Sequence, residues 1–252
     1  MKKIALLFVV FCICLTSCGK SEVHEVTQVK KPISINKFSQ QMNNSIKNYI
    51  DEYSVPGASA FMIDNDEKVL LKGYGVVKEN GSKVNKDTLF QIGTATRIFT
   101  SSLAGLMVGF RQMEWNTVIS KQLPSFELSD QWVTDRLTVK DILLEQSGFY
   151  PQSGQYLPIL GFSSQQIESK LNNFVISNGF RSVYSAQNIL RIPLVNSIEE
   201  TVGKPWEDLL TEEIFERSEM RNVSVGTKEF YNNPNSALPH YYTEDNSEVQ
   251  PY

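Results

Sequence analysis

Ile92-Gly93-Thr94-Ala95-Thr96-Arg97-Ile98-Phe99-Thr100 is a glycine followed by a polar first turn, and it runs into Phe99, Leu103, Leu106, Met107 and Phe110 at helical spacing. The pattern predicts a helix from Thr94 to about Met113 whose apolar face enters a core rather than a membrane. Two groups at its start carry chemistry. Thr94 offers a hydroxyl and Arg97 a guanidinium one turn later. A hydroxyl becomes nucleophilic when a neighbouring base takes its proton. Arginine keeps its own proton to a pKa above about 12, so Arg97 can donate hydrogen bonds but cannot act as that base. Taken alone, the string reads as a polar helix start.

Working outward, residues 36 to 53 place Phe38, Met42, Ile46, Tyr49, Ile50 and Tyr53 on one helical face, and Pro56-Gly57 end that segment. Ala58 to Asp64 and Val69 to Val77 read as strands joined through Asn65-Asp66, with Gly73 and Gly75 as points of close backbone approach. Thr138 and Asp141 form a capping box that opens a further helix, with Gly148 as its stop. Gln165 to Asn178 and Ile189 to Val202 also read as helices, the second kinked or delayed by Pro193. No Walker or dinucleotide pattern follows the strands. His24 and His240 have no metal-ligand partner at helical spacing, so no metal and no cofactor are expected.

The N-terminus reads as an export signal. Lys2 and Lys3 precede the apolar run Ile4 to Cys14, and Leu15-Thr16-Ser17-Cys18 has the small-residue cleavage pattern of a bacterial lipoprotein. That run is short for a membrane-spanning helix. Residues 1–17 are therefore expected to be the signal, Cys18 the lipidation site, 18–35 a tether and 36–252 the folded domain, held at the cell envelope by membrane lipid. An ordinary secretory signal is the alternative. All three cysteines, Cys12, Cys14 and Cys18, fall in or at the end of the signal, which leaves no thiol for a disulfide in the mature chain. With 41% hydrophobic residues the remainder can build a core. The formal charge of −4 shows no basic stripe, which argues against nucleic acid as a partner.

Five ordered blocks then carry a family resemblance from about residue 36 onward. They are Val55-Pro-Gly-Ala-Ser-Ala-Phe-Met-Ile63 through Leu71-Lys-Gly-Tyr-Gly-Val76; Ile92 to Thr100; Trp115 leading into Leu123-Pro124-Ser125-Phe126; Leu137-Thr-Val-Lys-Asp-Ile-Leu-Leu-Glu-Gln-Ser-Gly148; and Gly203-Lys204-Pro205-Trp206-Glu207-Asp208 with Ile214 to Asn222. The chain resembles the serine β-lactamase and penicillin-binding-protein superfamily. That resemblance implies an α+β, β-lactamase/transpeptidase-like fold, with a helical domain against an antiparallel sheet. It also implies β-lactamase, esterase or carboxypeptidase chemistry.

The same resemblance marks where the chemistry departs. The family's Ser-x-x-Lys is Thr94-x-x-Arg97 here. Its Tyr-x-Asn falls, by counting back from Gly203, on Ala186-Gln187-Asn188, so Ala186 stands at the tyrosine position, with Tyr184 as the alternative register. The Lys/His-x-Gly element is not located, and Leu238-Pro239-His240 resembles the stretch before the family's last helix. The C-terminal strands are accordingly expected to be missing and the sheet reduced to its N-terminal hairpin, whose uncovered edge invites self-association. His240 as a surrogate base is a weaker reading than a structural one. The expectation is a membrane-anchored, catalytically inactive relative that binds a cell-wall or small-molecule ligand or a partner, or a decayed gene product. The alternative is a weak hydrolase using Thr94, with Arg97 as an electrostatic clamp and Asn188 as a substrate contact.

Overall fold

The computed structural model describes residues 34–65, 67–176, 179–242 and 249–251. Two compact units are distinguished, one of residues up to Asn48 with Phe61–Leu70, the other of Tyr49–Ala60 with Leu71–Tyr252. The signal, Cys18 and the tether up to residue 33 lie outside the described residues. No helix among the described residues is long and apolar enough to cross a membrane.

Helix α1 (Ile35–Glu52) is followed by strands β1 (Gly57–Asp64) and β2 (Glu67–Gly75), which pair as a two-stranded sheet. Asn65 adopts a left-handed backbone, φ +45°, at the turn between them. In the first unit the Ser39 hydroxyl donates to the Val69 carbonyl at 3.2 Å. The expected apolar face of α1 is present, but no residue of this helix is buried, and Phe38 remains 48% exposed. Gly73 and Gly75 behave as the close-approach points foreseen. A Cβ on Gly73 would lie 2.3 Å from the Val84 carbonyl oxygen, and one on Gly75 would lie 2.0 Å from that of Pro56.

The second unit holds the core. A 3₁₀ turn (Gly93–Ala95) leads into α2 (Thr96–Gly109), followed by α3 (Ile119–Gln122), α4 (Gln131–Thr134), α5 (Val139–Leu143), α6 (Ser164–Glu168), α7 (Arg191–Val202), α8 (Trp206–Leu210), a π turn (Thr211–Phe215) and α9 (Thr227–Asn232). Leu103 and Met107 of α2 are buried with Ile119, Leu137, Phe149, Ile189, Leu194 and Ile198 in one apolar cluster. Burying a side chain of this size contributes about 1.5–3 kcal/mol, so this cluster rather than helix propensity fixes the short helices.

Several elements differ from the pattern reading. Helix α2 ends at Gly109, not Met113, because Arg111 turns left-handed at φ +60°. Phe110 consequently faces outward, 46% exposed, beneath the Arg217 guanidinium. The segment after Ser163 gives only α6 and a 3₁₀ turn at Leu171–Asn173, since Ile176 is drawn into an extended bridge with Phe149. Helix α5 stops at Leu143, and Glu145 is the first left-handed residue after it, at φ +57°, three residues ahead of Gly148 at φ +84°. Gly148 also permits close packing, for its Cβ would sit 2.9 Å from Ile176 Cγ2. Pro193 is buried in the first turn of α7, where its missing N–H breaks no helical bond. A second two-stranded sheet, β3 (His240–Tyr242) with β4 (Val249–Pro251), pairs antiparallel, with His240 opposite Pro251. This small sheet stands in addition to the expected N-terminal hairpin.

The capping box at α5 forms as expected. The Thr138 hydroxyl accepts from Asp141 N–H at 3.2 Å, and the Asp141 carboxylate accepts from Thr138 N–H at 2.9 Å. That carboxylate also takes Arg181 Nε at 2.9 Å and Nη2 at 2.8 Å. Burial alone would push the Asp141 carboxyl up, but the bonds from Arg181 and Thr138 outweigh it and hold the group below the usual carboxylate range. A depressed folded pKa stabilises the fold fully above the ordinary value near 4, and the contribution is lost as pH falls below it. Asp141→Asn should therefore flatten the acid limb of stability against pH in urea titrations. An unchanged slope below about pH 4 would refute the assignment.

Candidate functional site

Thr94 sits in the 3₁₀ turn that delivers the chain into α2, exposed to solvent. Gly93 before it has φ +51° with open space around its Cβ, so it is the backbone angle, not crowding, that favours glycine there. Among the described residues the Thr94 hydroxyl has no hydrogen-bond partner. Arg97, on the first turn of α2, places its guanidinium in a charged cluster. Its Nη1 donates to Glu145 Oε1 at 3.2 Å and its Nη2 donates to Asn188 Oδ1.

Glu145 is the hub of that cluster, and the pattern reading missed it. Only 6% exposed, it accepts Arg97 and Arg191 Nη2, the latter at 2.9 Å, on Oε1, and the Gln187 N–H on Oε2. Arg191, from the start of α7, reaches on to Ser101 Oγ of α2 at 3.1 Å. Two separated segments, the start of α2 and the 187–191 entry to α7, are thus tied to one carboxylate. Its sequence context, a short helix end in a run of fold-defining residues, carried no sign of this role.

The register of the 185–188 segment is set by the irregular run 145–152 beside it. Ser185 N–H donates to the Glu145 carbonyl at 2.7 Å and Gln152 N–H to that of Ala186 at 2.8 Å, while the Gln187 amide donates to the Tyr150 carbonyl. Of the residues singled out by sequence, Arg97 and Asn188 are brought together. Ala186 presents a methyl on the same segment. Tyr184 is 68% exposed and enters none of these bonds. His240 lies on β3, its buried Nε2 without a hydrogen-bond partner among the described residues, Thr94 included. Among the described residues no group of three His, Cys, Asp or Glu side chains is placed to hold a metal.

This arrangement can do specific things and not others. The Glu145 carboxylate is already engaged by three donors, the Arg97 guanidinium has no lone pair with which to accept a proton, and the Ala186 side chain has no polar atom. Beside the Thr94 turn lies a cavity of about 330 Å³, walled by Phe90, Ile92, Phe99, Phe215, Val225 and Phe230. That is at the lower end of small-molecule pocket volumes. The rings of Phe99 and Phe215 meet edge to face at 5.4 Å across its wall.

Comparison with known proteins bears on this geometry. A family profile described as Beta-lactamase matches residues 42–251. Unguisins hydrolase ungD' of Aspergillus campestris (strain IBT 28561) is 29% identical over 187 residues, which cover 71% of this chain and 35% of that protein. Protein flp of Staphylococcus aureus (strain NCTC 8325 / PS 47) is 26% identical over 114 residues, covering 45% and 23%. Among solved structures, the octameric penicillin-binding protein homologue from Pyrococcus abyssi superposes with a TM-score of 0.73 at 18% identity, over 84% of this chain and 50% of that one. A class C beta lactamase from Rhodobacter sphaeroides gives 0.65 at 18%, over 83% and 56%. The chain spans about a third or less of the length of these curated relatives and about half of the solved chains.

Proposed function

The chain belongs to the Beta-lactamase family, and from that premise we propose that it is a catalytically silent member that binds a small cell-envelope ligand beside Thr94. The fold is the β-lactamase/transpeptidase-like α+β fold of its structural neighbours. The observation that carries the silent reading is the pairing of Arg97. Its guanidinium is held by Glu145 and Asn188, so position 97 supplies a fixed cation where hydroxyl activation needs a proton acceptor. Removing a general base costs about 10²–10⁴ in rate. Supporting the binding half are the exposed Thr94 hydroxyl and the apolar cavity next to it.

In this reading the protein is exported and held at the bacterial envelope by lipid on Cys18, with Thr94, Arg97 and Asn188 as ligand contacts and Ala186 as the site of the lost phenol. Two or three acyl chains at about 0.8 kcal/mol per buried CH₂ make release from the membrane negligible. Cys18→Ala should move the protein from the membrane pellet to the soluble fraction, and full retention would sink the anchor. A second copy of the chain is the proposed protein partner, through the sheet edge at β1, where Phe61 is 71% and Ile63 60% exposed. The catalytic half of the proposal is tested by turnover. Nitrocefin and p-nitrophenyl esters should be hydrolysed no faster by the native chain than by Thr94→Ala, and a rate abolished by that substitution would restore the enzyme reading.

A further inference from the structure

Glu145 is fixed from two directions. Its backbone is in the left-handed region, which side chains other than glycine adopt only where surrounding contacts impose it. Those contacts are its N–H on the Ile142 carbonyl at 3.1 Å and its carbonyl on the Ser185 N–H at 2.7 Å. Its carboxylate is then aimed at position 97, with Arg191 as a second cation on the same oxygen. Among the described residues, Glu145 is the group in ionic contact with Arg97, Arg191 competes for it from α7, and Asn188 adds a neutral acceptor.

An arginine needs no counter-ion to remain charged, whereas an amine in its place would be held protonated by one. A carboxylate a few ångströms from an ammonium favours the charged form, and a neighbouring guanidinium opposes it. Resting on the silent-pocket reading above, we propose that Glu145 is a second lock on the site, a positioning residue that keeps any cation at position 97 paired, so that an amine introduced there alone would not become a base for Thr94. The silence of the pocket is thus written twice, once in the arginine and once in the carboxylate it meets. Reversal at position 97 leaves the second lock closed.

The test is a pH titration of the full chain carrying Arg97→Lys, with lysine labelled at ¹³Cε and read by NMR. The new amine should titrate no lower than an ordinary lysine, near 10.4. Adding Glu145→Gln, which keeps an acceptor for Gln187 N–H, should lower that midpoint by about one unit or more, while adding Arg191→Met in place of it should raise the midpoint. Opposite signs from the two substitutions cannot arise from loosened structure alone. Coincident midpoints with and without Glu145→Gln would overturn the proposal. Where that variant does not fold, Arg97→Lys with Arg191→Met decides, and a midpoint that stays or falls rejects it. Acylation of Thr94 in the native chain would defeat the silent-pocket reading and leave this titration to be judged by itself.

Discussion

Glu145→Leu is expected to lower the free energy of unfolding by about 3–5 kcal/mol, the cost of breaking a buried ion pair from one side. Glu145 is 6% exposed and its carboxylate satisfies three donors from two segments, namely Arg97 of α2 and, at the entry to α7, Arg191 and the Gln187 N–H. Leucine fills a similar volume but accepts nothing. Two guanidinium groups would be left within a few ångströms of each other without their shared anion, and a buried backbone donor would be orphaned. The Arg97 side chain is 25% exposed and Arg191 14%, so water recovers part of the loss and the lower half of the range is the better figure. Glu145→Gln should cost less, since its amide oxygen still accepts. Urea unfolding of the full chain reads both, and a Glu145→Leu loss under about 1 kcal/mol would mean that the cluster is incidental to the fold.

Much of the scaffold was legible because its signals are local. Thr138 and Asp141 three residues apart spell a capping box, and the box is there. Gly73 and Gly75 within a strand pattern mark backbone contact, and both have carbonyls where a Cβ would be. Lengths failed where tertiary contacts override periodicity. The apolar run after Ser163 has helical spacing, but the Phe149–Ile176 bridge draws its end into an extended path. Similarly, Phe110 continues the apolar face of α2 in sequence, yet the left-handed turn at Arg111 ends the helix first.

The candidate site was legible in part for the same reason. Thr94 and Arg97 are one turn apart, and Asn188 was reached through the resemblance; the structure sets Arg97 and Asn188 in hydrogen-bond contact. Glu145 and Arg191 were invisible because nothing within a few residues of either shows that α2, α7 and the 145–152 run converge. Their pairing spans 46 positions of sequence. Acidic and basic side chains in a family-like block read as solvated faces until their burial is known.

The pocket's inertness is the second large expectation, and it follows from counting groups able to move a proton. Thr94 has a hydroxyl and no hydrogen-bond partner among the described residues. The Arg97 guanidinium can donate hydrogen bonds but cannot take up a proton, the Glu145 carboxylate is engaged by three donors, and the Ala186 side chain is a methyl. The added methyl of threonine further crowds the space an incoming substrate carbonyl must enter. Loss of a base alone is worth about 10²–10⁴ in rate, and effects of groups acting as a unit do not simply add. The most direct measurement is peptide mass spectrometry of the full chain after incubation with benzylpenicillin. The Thr94 peptide should be recovered at its unmodified mass, and a penicilloyl adduct on that peptide, absent from Thr94→Ala, would contradict the account.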